Sequence, residues 1–329
     1  MSHPFCHIVP LRRRSVLLGG AALLGMLSSP AWSQEVARIY VGFAAGGVTD
    51  LAARLLAPAL SAELGQTFIV ENRPGASSAL AIKAVEGSAP ASHTFVLYPT
   101  LALLGFLLNG QQPALDRITP ISLLYEQFAV LAINPQVAGL ENVRTLQDLL
   151  QVAKAKAGTL TYTSSGVGST GHLAMEWVCS LAGVKMQHVP YKGGAPAVTD
   201  VLGGHVGTIF ADSTIIAPHV KSGKVRALAI NYPVRVPGFA EVPTVAEQGF
   251  KEVSAVPWVV LAGPPGMSDA AADRMAAAVS RVLAKPDIAQ SMQEQNMVPR
   301  HSTPRETRQL MQRDMLAWRK IIEDNGIKL

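Results

Sequence analysis

Segments typical of β-strands alternate with segments typical of helices along most of the chain, and this alternation limits the fold more than any other feature. A β-rich run at 38–43 precedes a helical pattern that ends at Gly65, and the same order returns at 160–163 and 170–181. Such alternation is typical of parallel strands with helices packed on the faces of the sheet. The expected fold class is therefore α/β.

The alternating segments fall into two series. A long β-rich passage at 121–133 ends at Asn134, where a second series of strands and helices begins, and another strand-like passage leads into three C-terminal helical patterns. Two such passages predict two α/β lobes joined by two crossings, with the C-terminal helices returning to the first lobe. The predicted boundaries assign 34–133 and 257–329 to the first lobe and 134–256 to the second.

The first 33 residues have the pattern of an export signal. Three arginines, Arg12 to Arg14, precede an apolar run at 16–27, and Ala31 and Ser33 are the small residues that a signal peptidase requires. The apolar run is too short to cross a hydrocarbon core of about 30 Å. Adjacent arginines are also found in twin-arginine signals, so the Sec and twin-arginine routes both stay open. We expect a periplasmic protein with a signal peptide at 1–33, cleaved near Ser33.

Charge and cysteine content exclude several kinds of partner and site. The net charge is +5 for 329 residues, and the leader arginines supply three of those charges. No remaining basic cluster is dense enough for a phosphate backbone, so we expect no nucleic-acid partner. Only Cys179 lies outside the leader, which predicts no internal disulfide. Because neither an H-x-x-x-H nor a C-x-x-C pair occurs after residue 33, we expect no metal and no other cofactor.

One unit occurs twice: a strand, a loop of small residues and the beginning of a helix. The loop around Gly46 is the first copy, with Thr49 or Asp50 as the expected helix cap, and the loop around Gly168 is the second. Unpaired N–H groups in a first helical turn, together with the helix dipole, favour an anion at such a position. Neither loop contains Lys or Arg. The repeat predicts that the N–H groups of the two first helical turns, beside the loops around Gly46 and Gly168, hold a small carboxylate, or both ends of a dicarboxylate, from two sides.

The second loop also fits two enzyme motifs, each incompletely. Residues 166–171 match G-x-G-x-x-G, but the acidic residue of a dinucleotide site is missing, since no carboxylate follows the next strand before Asp200. Ser169 lacks the preceding glycine of a nucleophile elbow because Val167 occupies that position. His172 lies on the same helix and is poorly placed as a base. We therefore expect no enzyme, with a secreted serine hydrolase as an unfavoured alternative.

Several short motifs follow one another in a specific order. They are Gly46-Gly-Val-Thr-Asp-Leu-Ala-Ala-Arg54, Val70-Glu-Asn-Arg-Pro-Gly-Ala76, Ser165-Gly-Val-Gly-Ser169, Val189-Pro-Tyr-Lys-Gly-Gly194 and Val242-Pro-Thr-Val-Ala-Glu247. This order resembles the Bug family, the periplasmic solute receptors of tripartite tricarboxylate transporters. The resemblance implies a type II periplasmic-binding-protein-like fold, a Venus flytrap with two α/β lobes around a cleft. It also implies a monomeric receptor that offers a small organic carboxylate to membrane transporter subunits.

The resemblance further implies which residues contact the ligand. In the first lobe they are Phe43, Ala45, Gly46, Thr49, Asp50, Ser77 and Thr100, and across the cleft they are Ser165, Gly168, Ser169, His172, Tyr191 and Asp212. The chain departs from the family pattern at Ser77 and Ser78, which replace glycines, and at Asp212, which one extra residue separates from Phe210. The sequence leaves open a second function, that of a carboxylate sensor for a membrane signalling partner.

Overall fold

The computed structural model describes residues 36–113, 115–156, 158–253 and 256–327. The predicted signal peptide and its cleavage site lie outside these residues. The strands are β1 (Ala37–Val41), β2 (Phe68–Asn72), β3 (Thr94–Pro99), β4 (Thr119–Gln127), β5 (Ala129–Ile133), β6 (Thr161–Ser164), β7 (Gln187–Pro190), β8 (Thr208–Asp212), β9 (Arg226–Asn231), β10 (Trp258–Gly263) and β11 (Met297–Pro299).

Helices connect most of these strands. They are α1 (Val48–Leu64), α2 (Ala79–Glu86), α3 (Thr100–Leu108), α4 (Leu146–Ala155), α5 (Thr170–Ala182), α6 (Gly194–Leu202), α7 (Ser213–Lys221), α8 (Asp269–Leu283), α9 (Pro286–Glu294) and α10 (Pro304–Asp324), with a short 3-10 turn at Ala76–Ser78. Among the described residues, no helix is both long enough and apolar enough to cross a membrane.

The strands form two mixed sheets, which confirms the α/β class. The first has the order β11-β4-β10-β3-β1-β2 and the second the order β7-β6-β8-β5-β9. Strand β1 is parallel to both of its neighbours, as the alternation predicts. Strands β10 and β5 are antiparallel to both of their neighbours. The strand before β5 and the strand before β10 each lie in the other sheet. Neither β5 nor β10 is therefore joined to its sheet by the helical crossover that makes successive strands parallel.

The β-rich passage at 121–133 is two strands in two different sheets. Strand β4 belongs to the first sheet and β5 to the second, and only Phe128 separates them. The chain therefore crosses between the sheets at Phe128 rather than after Ile133. The run is buried except at Glu126 and Gln127, and this polar pair lies directly before the crossing. The division into two lobes stays a prediction, while the sheets group residues 129–133 with the second series.

Apolar faces of the helices cover both sheets. In the first, Leu56 and Leu60 of α1 join Ile39 of β1 and Val279 of α8 in one buried cluster. A fully buried side chain of this size stabilises the fold by about 1.5–3 kcal/mol. This packing fixes α1 against the sheet, so that the beginning of the helix lies at the carboxyl end of β1. Helix α5 has the same relation to β6 in the second sheet.

Candidate functional site

A cavity of about 210 Å³, here called the main cavity, is lined by residues of both sheets. Its wall consists of Phe43, Thr49, Pro99, Thr100, Leu101, Gln127, Ser165, Val167, Ser169, Thr170, Asp212, Pro257, Trp258 and Val259. The two small-residue loops thus meet at one cavity, as the repeat predicts. No Lys or Arg belongs to this wall, and Asp212 is its only charged residue.

A second cavity of about 310 Å³, here called the side chamber, adjoins the main cavity. Leu101 and Val167 line both. The other residues of the side chamber are Ala76, Ser77, Ala79, Lys83, Ala102, Gly105, Phe106, Leu108, Asn109, Gln111 and Gly168.

The structure sorts the residues implied by the family resemblance into three groups. The main cavity contains Phe43, Thr49, Thr100, Ser165, Ser169 and Asp212. The side chamber contains Ser77 and Gly168. Neither cavity is lined by Ala45, Gly46, Asp50, His172 or Tyr191.

Asp50 holds the first loop in place. Helix α1 begins at Val48 with Gly47 as its N-cap, so the expectation that Thr49 or Asp50 caps it is wrong. Instead, the Asp50 carboxylate accepts hydrogen bonds from Gly46 N (2.9 Å), Asn72 Nδ2 (2.7 Å) and Arg54 Nε (2.9 Å). Burial acts to raise the pKa of Asp50, but these hydrogen bonds, above all that from Arg54, lower it to about 2.

His172, the third residue of α5, holds the second loop as Asp50 holds the first. Ser169 caps α5 by accepting a hydrogen bond from His172 N at 3.3 Å, and Nδ1 of His172 accepts one from Gly168 N at 3.0 Å. The imidazole stacks on His188 with the ring centroids 4.0 Å apart. Burial, with a smaller effect of His188, lowers the pKa of His172 to about 3, and burial lowers the pKa of His188 to about 4. The pair is therefore neutral at pH 7.

These two hydrogen bonds engage the glycine amides within the protein. Gly46 N and Gly168 N both donate within their own loops, to Asp50 and His172. The donors left for an anion are the first-turn amides of α1 and α5, such as those of Thr49 and Thr170, because the helix offers them no carbonyl partner. Both of these residues line the main cavity. The helix N-termini, rather than the loop glycines, thus present N–H groups to it.

Asp212 brings a carboxylate to this otherwise uncharged wall. It lies at the end of β8, just before α7, and accepts a long hydrogen bond of 3.4 Å from Thr170 Oγ1. Burial raises the pKa of Asp212 above its ordinary value. Its charge opposes that of a bound carboxylate.

Thr100 and Trp258 join two distant parts of the chain at the floor of the main cavity. Thr100 Oγ1 accepts a hydrogen bond from Trp258 N (2.8 Å) and donates one to Trp258 O (3.1 Å), so this hydroxyl is already used within the protein. The indole Nε1 of Trp258 donates to Asp314 at 2.6 Å. The sequence argument missed Trp258 because only the pairing of β10 with β3 brings it beside Thr100. The sequence argument also missed Thr170, although this residue directly follows the second loop, where α5 begins.

Tyr191 and Ser169, which the family resemblance also implies, have hydrogen-bond partners within the protein. The hydroxyl of Tyr191 donates to Asp200. Ser169 Oγ donates to Ser164 Oγ at 3.0 Å rather than to the His172 ring. Among the described residues, no cluster of His, Cys, Asp or Glu could hold a metal ion.

Comparison with known proteins identifies what this architecture is similar to. Residues 52–327 match the model of the Tripartite tricarboxylate transporter family receptor. Protein BugT of Bordetella pertussis is 30% identical over 318 residues, which cover 95% of this chain and 96% of BugT. Two solved structures share the fold. An R. palustris protein with adipate has 27% identity and a TM-score of 0.74, over 90% of this chain and 99% of that chain. MatC of Rhodopseudomonas palustris with bound malate has 26% identity and a TM-score of 0.69, over 87% of this chain and 98% of that chain.

Proposed function

The chain belongs to the tripartite tricarboxylate transporter receptor family, a family of periplasmic solute receptors and not of enzymes, and on this premise we propose that it binds a small organic carboxylate in the main cavity. One observation carries the proposal: the first turns of α1 and α5 reach the same cavity from different sheets. Their unpaired amides and dipoles favour an anion, and each hydrogen bond to a charged group is worth about 1.5–3 kcal/mol.

The size and charge of the main cavity support a small acid bound by neutral donors. The main cavity has a volume of about 210 Å³, which suits a small ligand. Because the wall has no Lys or Arg, amides and hydroxyls supply the binding energy. The two similar structures contain adipate and malate, both small dicarboxylates, which supports the same ligand class here.

Ligand contact is proposed for residues that line the cavity from both sheets. They are Phe43, Thr49, Ser165, Ser169, Thr170 and Asp212. The proposed lobes, 34–133 with 257–329 and 134–256, close on the ligand because it touches both. A ligand stabilises the closed form only by the difference between its affinities for the closed and open forms.

The proposed location and partner follow from the family and the leader. Residues 1–33 direct export and are removed, and the monomeric receptor then acts in the periplasm. There it delivers the bound acid to membrane subunits of a tripartite tricarboxylate transporter.

Titration calorimetry with protein recovered from the periplasm of expressing cells tests the proposal. Adipate, malate and hexanoate serve as acids, with ATP and a neutral ester as controls. We expect at least one acid to bind with one molecule per chain and to raise the melting temperature. Binding of ATP or the ester, with none of the acids, would contradict the proposal.

A further inference from the structure

The crossing at Phe128 lies between two cavities. Gln127 lines the main cavity, whereas Phe128 lines a separate cavity of about 160 Å³, here called the rear cavity. Successive side chains of an extended chain point to opposite sides, so the two cavities lie on different sides of the crossing. The segment before β10 runs beside it, since Gln127 N donates a hydrogen bond to Pro257 O at 2.8 Å. A rotation of one sheet against the other about this crossing therefore narrows one cavity and widens the other.

Segments of both sheets enclose the rear cavity. One wall consists of residues from 232–237, which directly follow β9 of the second sheet, and the other consists of residues from 293–300, at the end of α9 and in and after β11 of the first sheet. The ring of Phe128 packs edge-on against Tyr232 and Phe239, with centroid distances of 6.4 and 5.4 Å. Tyr232 therefore belongs to the core of the second sheet, although it faces the first across the cavity.

The hydroxyl of Tyr232 joins the second sheet to the first. It donates a hydrogen bond to Glu126 Oε2 of β4 at 2.5 Å and accepts one from Arg300 Nη2, just after β11, at 3.1 Å. Arg300 Nε also donates to Glu126 Oε2 at 3.3 Å, which closes a triangle of three side chains. Tyr232 is only 4% exposed. Burial, together with the neighbouring Glu126, raises the pKa of Tyr232 to about 12, so the phenol keeps the proton that it donates at pH 7.

This triangle contacts no ligand in either of the cavities described above. Glu126, Tyr232 and Arg300 line neither the main cavity nor the side chamber. A hydrogen bond that forms in only one arrangement of two bodies favours that arrangement by its own free energy. Since the donor is packed in the second sheet and its acceptor belongs to the first, these hydrogen bonds favour the observed arrangement of the sheets. In that arrangement the first turns of α1 and α5 reach the same cavity.

We propose that Tyr232 is a positioning residue for ligand capture. Its hydroxyl, bound to Glu126 and Arg300, holds the second sheet against the first behind the crossing, and this keeps the two helix N-termini facing one cavity. The three side chains are here called the rear latch. The latch acts on binding from outside the cavity. Its effect on affinity rests on the proposed carboxylate function, whereas its effect on the free protein is measured without any ligand.

Amide hydrogen exchange of the ligand-free protein tests the latch. Tyr232→Phe removes the hydroxyl and keeps the ring against Phe128. Exchange at Gln127, whose N–H donates to Pro257 O at the crossing, should become about fivefold faster, because exchange follows local opening and a net hydrogen bond corresponds to about that factor. Exchange at Ile39, buried in β1 of the first sheet, should stay the same. Unchanged exchange at Gln127 in Y232F would disprove the latch.

Tyr162→Phe is the matched control. Tyr162 is also buried and also donates to a glutamate at 2.5 Å, but its acceptor Glu176 lies with it in the second series, and Tyr162 lines neither the main cavity nor the side chamber. We expect Y162F to leave exchange at Gln127 unchanged. Glu126→Ala should behave like Y232F. Glu126→Gln keeps an acceptor oxygen for Tyr232 and should restore most of the protection.

Titration calorimetry with adipate and malate tests the positioning role. The apparent affinity falls with the fraction of molecules in the binding-competent arrangement, so Y232F should bind about fivefold more weakly than the wild type. Y162F should bind as the wild type does, and E126Q should bind more tightly than E126A. Equal affinities of Y232F and the wild type, or an equal loss in Y162F, would overturn the positioning role. Failure of both acids to bind the wild type would count against the proposed carboxylate function, while the exchange measurement would still decide whether the latch exists.

Discussion

The two loops at the main cavity share one local geometry but maintain it with different chemistry. In each, a glycine with positive φ donates its amide to the side chain four residues later, Gly46 to Asp50 and Gly168 to His172. Both acceptors are third residues of their helices. The first is a carboxylate that also binds Arg54 and Asn72. The second is an uncharged imidazole stacked on His188.

This difference shows what the site requires of each loop. Both glycine amides are used internally, so the loop conformation is fixed before a ligand arrives and the first-turn amides stay available. The first loop reaches this state with a buried carboxylate and a partly exposed arginine. The second reaches it without any charge, and it therefore depends on its histidines remaining neutral. The two loops should respond differently to substitution and to acid.

The largest expected effect comes from comparing two glycines. Gly171, behind the second loop, is closely packed, whereas Gly47, in the first loop, has room for a Cβ atom. A Cβ atom at Gly171 would overlap the carbonyl oxygen of Phe210 in β8. Gly171→Ala should lower the free energy of unfolding by about 3 kcal/mol, because backbone cannot move aside as a side chain can. Urea denaturation measures the change.

Gly47→Ala in the first loop is the control for this substitution. A Cβ atom at this position would lie 3.5 Å from the Ala44 carbonyl oxygen, which is an ordinary van der Waals contact. The loss should stay below about 1 kcal/mol, the usual scale for a poorer N-cap. Equal losses for G171A and G47A would contradict the contrast between the loops.

Removal of the Asp50 carboxylate tests how the first loop is held. Asp50→Ala leaves the Gly46 amide and the Asn72 side chain without their acceptor, at a cost of about 2 kcal/mol. Arg54→Ala should cost less than about 1 kcal/mol because the arginine side chain is half exposed. Thermal denaturation of both variants gives the comparison. A larger loss for R54A would show that the ion pair, rather than the amide hydrogen bond, maintains the loop.

Acid should loosen the second loop before the first. The pKa values of His172 and His188 fall to about 3 and about 4 on folding, so the unfolded chain binds more protons below its ordinary histidine pKa of 6.5. The free energy of unfolding should therefore decrease as the pH falls from about 6.5 to about 4.

The first loop should lose its stabilisation only in stronger acid. The pKa of Asp50 is lowered to about 2 from 3.8, so its contribution is complete above pH 3.8 and disappears as the pH falls towards 2. Denaturation of the double variant His172→Gln with His188→Gln, measured at pH 7 and pH 4.5, isolates the histidine effect. A wild-type protein equally stable at both pH values would contradict it.

The smallest effect concerns the one charge in the main cavity. Asp212→Asn should raise the affinity for hexanoate by at most about fivefold, since the ionised form of Asp212 opposes a carboxylate by on the order of 1 kcal/mol and its raised pKa reduces the ionised fraction. The first sheet adds no charge to this wall, so no matching variant exists there. Calorimetry at pH 7 measures the change, and a lower affinity for D212N would show that Asp212 assists binding.

The sequence predicted the features that depend on local pattern. The repeated strand, small-residue loop and helix led to Thr49 and Ser169, which line one cavity. The internal hydrogen bonds of the Gly46 and Gly168 amides also had a local signal that was missed, an acceptor side chain four residues after each glycine.

Features that depend on distant pairing could not be predicted in this way. Trp258 reaches the cavity through the register of β10 with β3, which no local pattern encodes. The crossing at Phe128 is marked only by the polar pair Glu126 and Gln127, which is too short to separate two strands from one β-rich passage. Lys83 had no motif at all, and only the structure shows that it lines the side chamber.

Amide NMR of the labelled protein during titration with adipate tests the central claim most directly. The account predicts that adipate shifts the amide signals of Val48, Thr49, Thr170 and Gly171, in both helix N-termini at the same ligand concentration. The signals of Gly46 and Gly168 should move less, because Asp50 and His172 already accept their hydrogen bonds. Shifts confined to one of the two helix N-termini, or located away from both, would contradict it.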